Sequence, residues 1–112
     1  MANIRETGFL KVLADLSFPE KKVVINPNDG FDIGLMMTDA TVQLLYGFDP
    51  STVPDSDDDA KPIYGNIYQK NECALGTIEL SSRVVEQMGG PKQVRLHLIE
   101  SDPYPRVLVS AG

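Results

Sequence analysis

Tryptophan is absent from this chain, and cysteine and histidine occur once each, as Cys73 and His97. A single cysteine excludes a disulfide within the chain and any zinc site built from several thiolates. A single histidine leaves only carboxylates to complete a transition-metal shell, so no metal site is expected from these residues. A Cys73–His97 nucleophilic pair also lacks support. Glu72 would raise the thiol pKa, and no helix start lies beside the cysteine to lower it. The expectation is a buried structural cysteine and a surface histidine.

Other absences narrow the field further. Neither G-x-G-x-x-G nor G-x-x-x-x-G-K-[ST] occurs, which excludes nucleotide binding by those routes. Lysine and arginine total 10 against 16 acids, so the basic footprint of a nucleic-acid binder is missing. No apolar run approaches the length of a membrane span. The opening stretch MANIRETGFLKVLADLSFPEKK carries Glu6 and no unbroken apolar segment, so it does not read as a signal peptide. Together these features point to a cytoplasmic protein with no membrane and no nucleic-acid partner.

The 112 residues suit a single domain, 1–112, with one modest core. The net charge of −6 has a local origin. Asp49, Asp55, Asp57, Asp58 and Asp59 supply five of the 16 acids, and without them eleven acids face 10 bases. These five lie in GFDPSTVPDSDDDAKP, residues 47–62, with three prolines and only Val53 as a larger aliphatic side chain. The composition predicts an exposed acidic Pro/Asp-rich loop that divides the chain into two halves.

In the first half, KKVVIN and FDIGLMM flank PNDG, which predicts a hairpin with Gly30 at positive φ in the turn. Residues 8–17 and 38–46 fit either helix or strand, because their apolar residues satisfy both spacings. In the second half, PIYGNIYQ alternates, with Ile63, Gly65 and Ile67 on one face and Tyr64, Asn66 and Tyr68 on the other. ALGTIELS, QVRLHLIE and RVLVSAG read as further strands. Between them SSRVVEQMGGP predicts a helix near 81–89, capped by Ser81 or Ser82 and stopped by Gly89, Gly90 and Pro91. The fold class is therefore β-rich α+β: a small barrel or curved antiparallel sheet with one or two short helices.

Three candidate sites follow. Asp55, Asp57 and Asp59 match positions 1, 3 and 5 of a calcium loop. Ala60 then replaces the turn glycine, and Asn66 stands where a bidentate glutamate belongs. The run Asp55, Asp57, Asp58, Asp59 is thus read first as a solvated segment that steers basic partners, with calcium as the alternative and no other cofactor expected. Tyr64, Asn66 and Tyr68, joined by Tyr104 of the SDPYP turn, form a second candidate, able to stack on and hydrogen-bond a small ligand. Tyr64, Glu72, His97 and Asp102 are the only polar groups available for acid–base work, with nothing local to unite them.

The reading is a non-catalytic protein–protein interaction module: a regulatory or assembly subunit, open to self-association, with the acidic loop steering a basic partner. The alternative is a small-ligand or divalent-ion binding module using the tyrosine face or the aspartate run; a small enzyme comes third. The sequence does not identify the partner, oligomeric state, process or topology. An unliganded loop should give the same ¹H–¹⁵N spectrum for residues 49–66 in EDTA and in excess calcium; peaks that move with calcium would make the run an ion site.

Overall fold

Val94, Leu96 and Leu98 occupy alternate positions of one strand and point into a core, where each is buried. That alternation recurs around a closed barrel. The structure is a computed structural model and describes residues 4–53, 62–101 and 103–111. Its strands are β1 (Ile4–Glu6), β2 (Leu10–Asp15), β3 (Lys22–Ile25), β4 (Asp39–Tyr46), β5 (Ile63–Gln69), β6 (Thr77–Ser81), β7 (Gln93–Ile99) and β8 (Arg106–Ala111). The described residues also form two short helices, α1 (Pro27–Asp32) and α2 (Ser82–Gln87). No helix among the described residues is long and apolar enough to cross a membrane.

Seven strands close the ring in the order β7-β2-β6-β3-β5-β4-β8, with β8 returning to β7. Parallel pairs β2–β6, β3–β5 and β4–β8 alternate with antiparallel ones. The order is also an alternation of chain halves. Each of β2, β3 and β4, which precede residue 47, lies between two strands that follow residue 62. Among the described residues neither half contains a sheet of its own apart from the β7–β8 hairpin.

The eighth strand, β1, continues the line of β2 along the same edge of β7. Glu6 pairs with His97 and Leu10 with Val94, so residues 7, 8 and 9 face only 95 and 96. One residue is extra, and the line bulges there. Thr7 holds the bulge together. Its N–H donates to Leu96 O at 3.0 Å, and its hydroxyl oxygen accepts from Leu96 N–H at 3.1 Å.

The expected hairpin at PNDG does not form. Asn26 Oδ1 accepts from the Asn28 N–H at 2.9 Å, Pro27 takes the first helical turn, and the segment becomes α1. The residue types that favour a turn also favour a helix start, and distant contacts decide between them. Asn26 Nδ2 donates to Cys73 O at 2.8 Å, and Gly76 N–H donates to the buried Asp29 carboxylate at 2.8 Å. Gly30 is helical, and its missing side chain makes room for Gln69. Gln69 Nε2 in turn donates to Leu35 O at 3.1 Å and Met37 O at 2.6 Å, fixing the bend that follows α1.

Residues 8–17 and 38–46, left open between helix and strand, supply β2 and β4. The helix expected near 81–89 is present as α2. Ser81 caps it by accepting from Arg83 N–H, and Gly89 and Gly90 end it at φ 89° and 70°. On the outer surface Leu45 and Leu108 are buried beneath Phe48, Val53 and Ile99. The start of the 47–62 segment therefore packs on the barrel, and Asp49 is engaged with Ser51 and Thr52. Those hydrogen bonds, first to the Ser51 side chain and then to its backbone, hold the Asp49 carboxyl below its ordinary range.

Gly65 marks the tightest crossing. A methyl there would lie 2.9 Å from both the Lys21 carbonyl carbon and Leu44 Cδ1, and closer still to Lys21 O. Gly65→Ala should lower the unfolding free energy by roughly 1–3 kcal/mol in urea titration; an unchanged midpoint would show that the crossing yields without strain.

Candidate functional site

Alternation along β5 sends Tyr64, Asn66 and Tyr68 to the outer face, as the sequence implies. Tyr104, in the β7–β8 turn, meets Tyr64 edge-on, with ring centroids 6.3 Å apart and planes at 72°. Tyr104 is positioned by the buried Gln43 of β4, whose Nε2 donates to the Tyr104 carbonyl at 2.8 Å. Asn66 is engaged already. Its Nδ2 donates to Asp39 Oδ1 at 2.6 Å, and Tyr68 lies between Lys22 and Lys70, each about 6 Å from its ring centroid. The four residues thus share one outer surface, with Tyr64 and Tyr104 the pair in direct contact. Asp55, Asp57, Asp58, Asp59 and the calcium site they would form lie outside the described residues, as does Asp102.

Cys73 is buried, with Sγ donating to Thr77 O at 3.3 Å. Burial, then the nearby Glu79 and Asp29 carboxylates, push its thiol up from 9.0 to about 11. Such a thiol is a poor nucleophile at neutral pH. His97 corrects the expectation of a surface ring: it is only 5% exposed. It does lie on the outer face of β7, but β1 crosses beside it and Glu6 accepts from Nε2 at 3.0 Å. Nδ1 is buried with no partner among the described residues. The same Glu6 carboxylate binds Arg95 Nη2 at 3.0 Å, and the Arg95 guanidinium covers Phe9. This Glu6–Arg95–His97 cluster ties β1 to β7. Sequence reasoning missed it because Glu6 and His97 become neighbours only through the barrel register.

A second feature missed from sequence is a groove of about 510 Å³ at the barrel end, between β1, the bend after α1 and the β7–β8 turn. Its walls include Ile33, Leu35 and Leu98, and its polar groups include Arg5 and Glu100. Glu6 faces outward beside His97, so the preceding Arg5 turns to the opposite side of β1, across the barrel mouth. Its guanidinium rests on Gly34, where a methyl would overlap it. Gly34 also holds φ at 78°, which only glycine adopts freely. Beside the groove, the same α1–β4 segment leaves Phe31, Met36 and Met37 70%, 82% and 68% exposed.

A smaller groove of about 400 Å³ lies between the β2–β3 turn and α2, with Leu16 at its rim. Comparison with known protein families, with curated proteins and with solved structures gives no match for this chain.

The state of Cys73 gives a direct check. With a thiol at about 11, about one molecule in a thousand carries the thiolate at pH 8. A disulfide reagent should leave the native thiol unmodified on the timescale of seconds to minutes and label it at once in denaturant. The raised pKa also means the folded state holds this proton more tightly than the unfolded chain. Its contribution to stability is complete below pH 9 and is lost as pH rises from about 9 to about 11. Cys73→Ala should flatten that part of the alkaline urea-stability profile; a profile as steep as that of the parent would reject the assignment.

Proposed function

We propose that this protein is a non-catalytic protein–protein interaction module of the cytoplasm, and that its contact surface is the barrel end bearing Phe31, Met36 and Met37. The observation that carries this reading is the exposure of three large apolar side chains within seven residues of one segment. Isolated exposed apolar residues are ordinary, whereas a group of them on a rigid support marks a contact surface. The support here is Gln69, which grips the carbonyls of Leu35 and Met37 on either side of Met36. Methionine suits such a surface, because its unbranched thioether adapts to a partner's shape.

Barrel closure bears on the mode of contact. The strands of the ring are paired on both edges, so among the described residues only the three-residue β1, paired with β7 alone, leaves an edge on which a partner strand could be added. Contact at the methionine-bearing end is therefore made by side chains. The acidic segment 47–62 adds a field that favours a partner with lysine and arginine around its own apolar patch, and association would then weaken with ionic strength. A regulatory or assembly subunit fits this description, and a second copy of the chain is a partner the same test detects.

A photo-crosslinking residue in place of Met36 should form adducts with a discrete partner in cells. The same residue in place of Lys92, at the opposite end of β7, should not. Met36→Lys combined with Met37→Lys should abolish that partner's binding while shifting the melting temperature by only about 1–2 °C, as for exposed positions. Equal adducts from both positions, or undiminished binding by the double variant, would end this assignment of the surface.

A further inference from the structure

The groove at the barrel mouth carries two charges of opposite sign that do not neutralise each other. Arg5 and Glu100 both line it, yet neither side chain has an ion-pair or hydrogen-bond partner among the described residues. Arg5 is held in place by packing, its guanidinium laid on Gly34. Between the two charges the apolar surface open to the groove is that of the half-buried Leu35, with the rim of Leu98 beside it and Ile33 buried behind them. The volume lies in the range of small-ligand pockets.

We infer that this groove binds a small zwitterion with an apolar body, an apolar α-amino acid, with its carboxylate on Arg5, its ammonium on Glu100 and its side chain against Leu35 and the rim of Leu98. The guanidinium fork is suited to a carboxylate, through two parallel charge-assisted hydrogen bonds. A simple anion would meet repulsion from Glu100 and a simple cation from Arg5. Only a ligand carrying both charges satisfies the two groups together, and the apolar walls reward a branched hydrocarbon side chain. This site does not depend on a protein partner, although it lies beside the surface proposed to bind one.

L-leucine is the probe, titrated into methyl-labelled protein with the Ile33, Leu35 and Leu98 signals observed. Two analogues each remove one charge: 4-methylpentanoate lacks the ammonium, and 3-methylbutylamine lacks the carboxylate. Leucine should shift the three residues' methyls saturably, and each analogue should bind about tenfold more weakly or worse, one charge-assisted contact being lost. Arg5→Gln should weaken leucine by a similar factor but not 3-methylbutylamine, whose ammonium is relieved of repulsion from Arg5. Glu100→Gln should weaken leucine and spare 4-methylpentanoate. No methyl shift up to about 50 mM leucine, a concentration that detects even millimolar affinity, would overturn the inference, as would analogues that bind as well as leucine. Retention of the leucine shifts in the Met36→Lys, Met37→Lys double variant would separate this site from the protein-contact surface.

Discussion

At Gly65 two stretches of backbone come too close for a methyl group to stand between them, and much of the barrel is registered from that crossing. Asn66 N–H donates to Lys21 O at 2.9 Å, and the parallel β3–β5 ladder begins there, with Lys22 beside Asn66. Through this ladder β5 is placed against β3 on one side and β4 on the other. Gln69, at the end of β5, then reaches the carbonyls of the α1–β4 bend. The exposed methionines and one wall of the groove are thus set by a strand whose position depends on a glycine. The energetic weight is mostly hydrophobic burial along the inward faces, but burial alone does not choose a register.

Much of the local structure was legible. The alternation in PIYGNIYQ divided its residues between the two faces correctly, because period-two patterning follows directly from the pleat. Ser81, Gly89 and Gly90 bounded α2 for equally local reasons: side-chain capping at one end and positive φ at the other. PNDG was misleading. Asparagine, proline and aspartate serve turns and helix starts alike, and what decides for the helix is Cys73, Gly76 and Gln69, some forty residues away.

The groove and the charge cluster were illegible for a related reason. Arg5 and Glu100, like Glu6 and His97, stand more than ninety residues apart and meet only through pairing on β7. His97 carried a further difficulty. It follows the alternation of its strand to the outer face, and outer faces are usually wet. Here β1 lies alongside and the ring is buried. Alternation reports which side of a sheet a residue takes; whether another part of the chain then covers it is a tertiary fact. The tyrosine face lies between these cases, since β5 alone dictates a shared side and only the β7–β8 turn brings Tyr104 to Tyr64.

The interleaving of the two halves has a consequence for how the protein is made. Strands β2, β3 and β4 take their neighbours exclusively from β5 to β8, so a ribosome that has finished the first half has released strands with nothing to pair with. Loop-closure entropy opposes such distant pairings until late in synthesis, which makes folding slow relative to a chain of local hairpins. During that interval Val23, Val24 and Ile25, and Leu44 and Leu45 after them, are uncovered in segments that favour extended structure. The nascent chain is then most exposed to aggregation halfway through translation, and a holdase acting at that stage would bind the segments that later line the barrel.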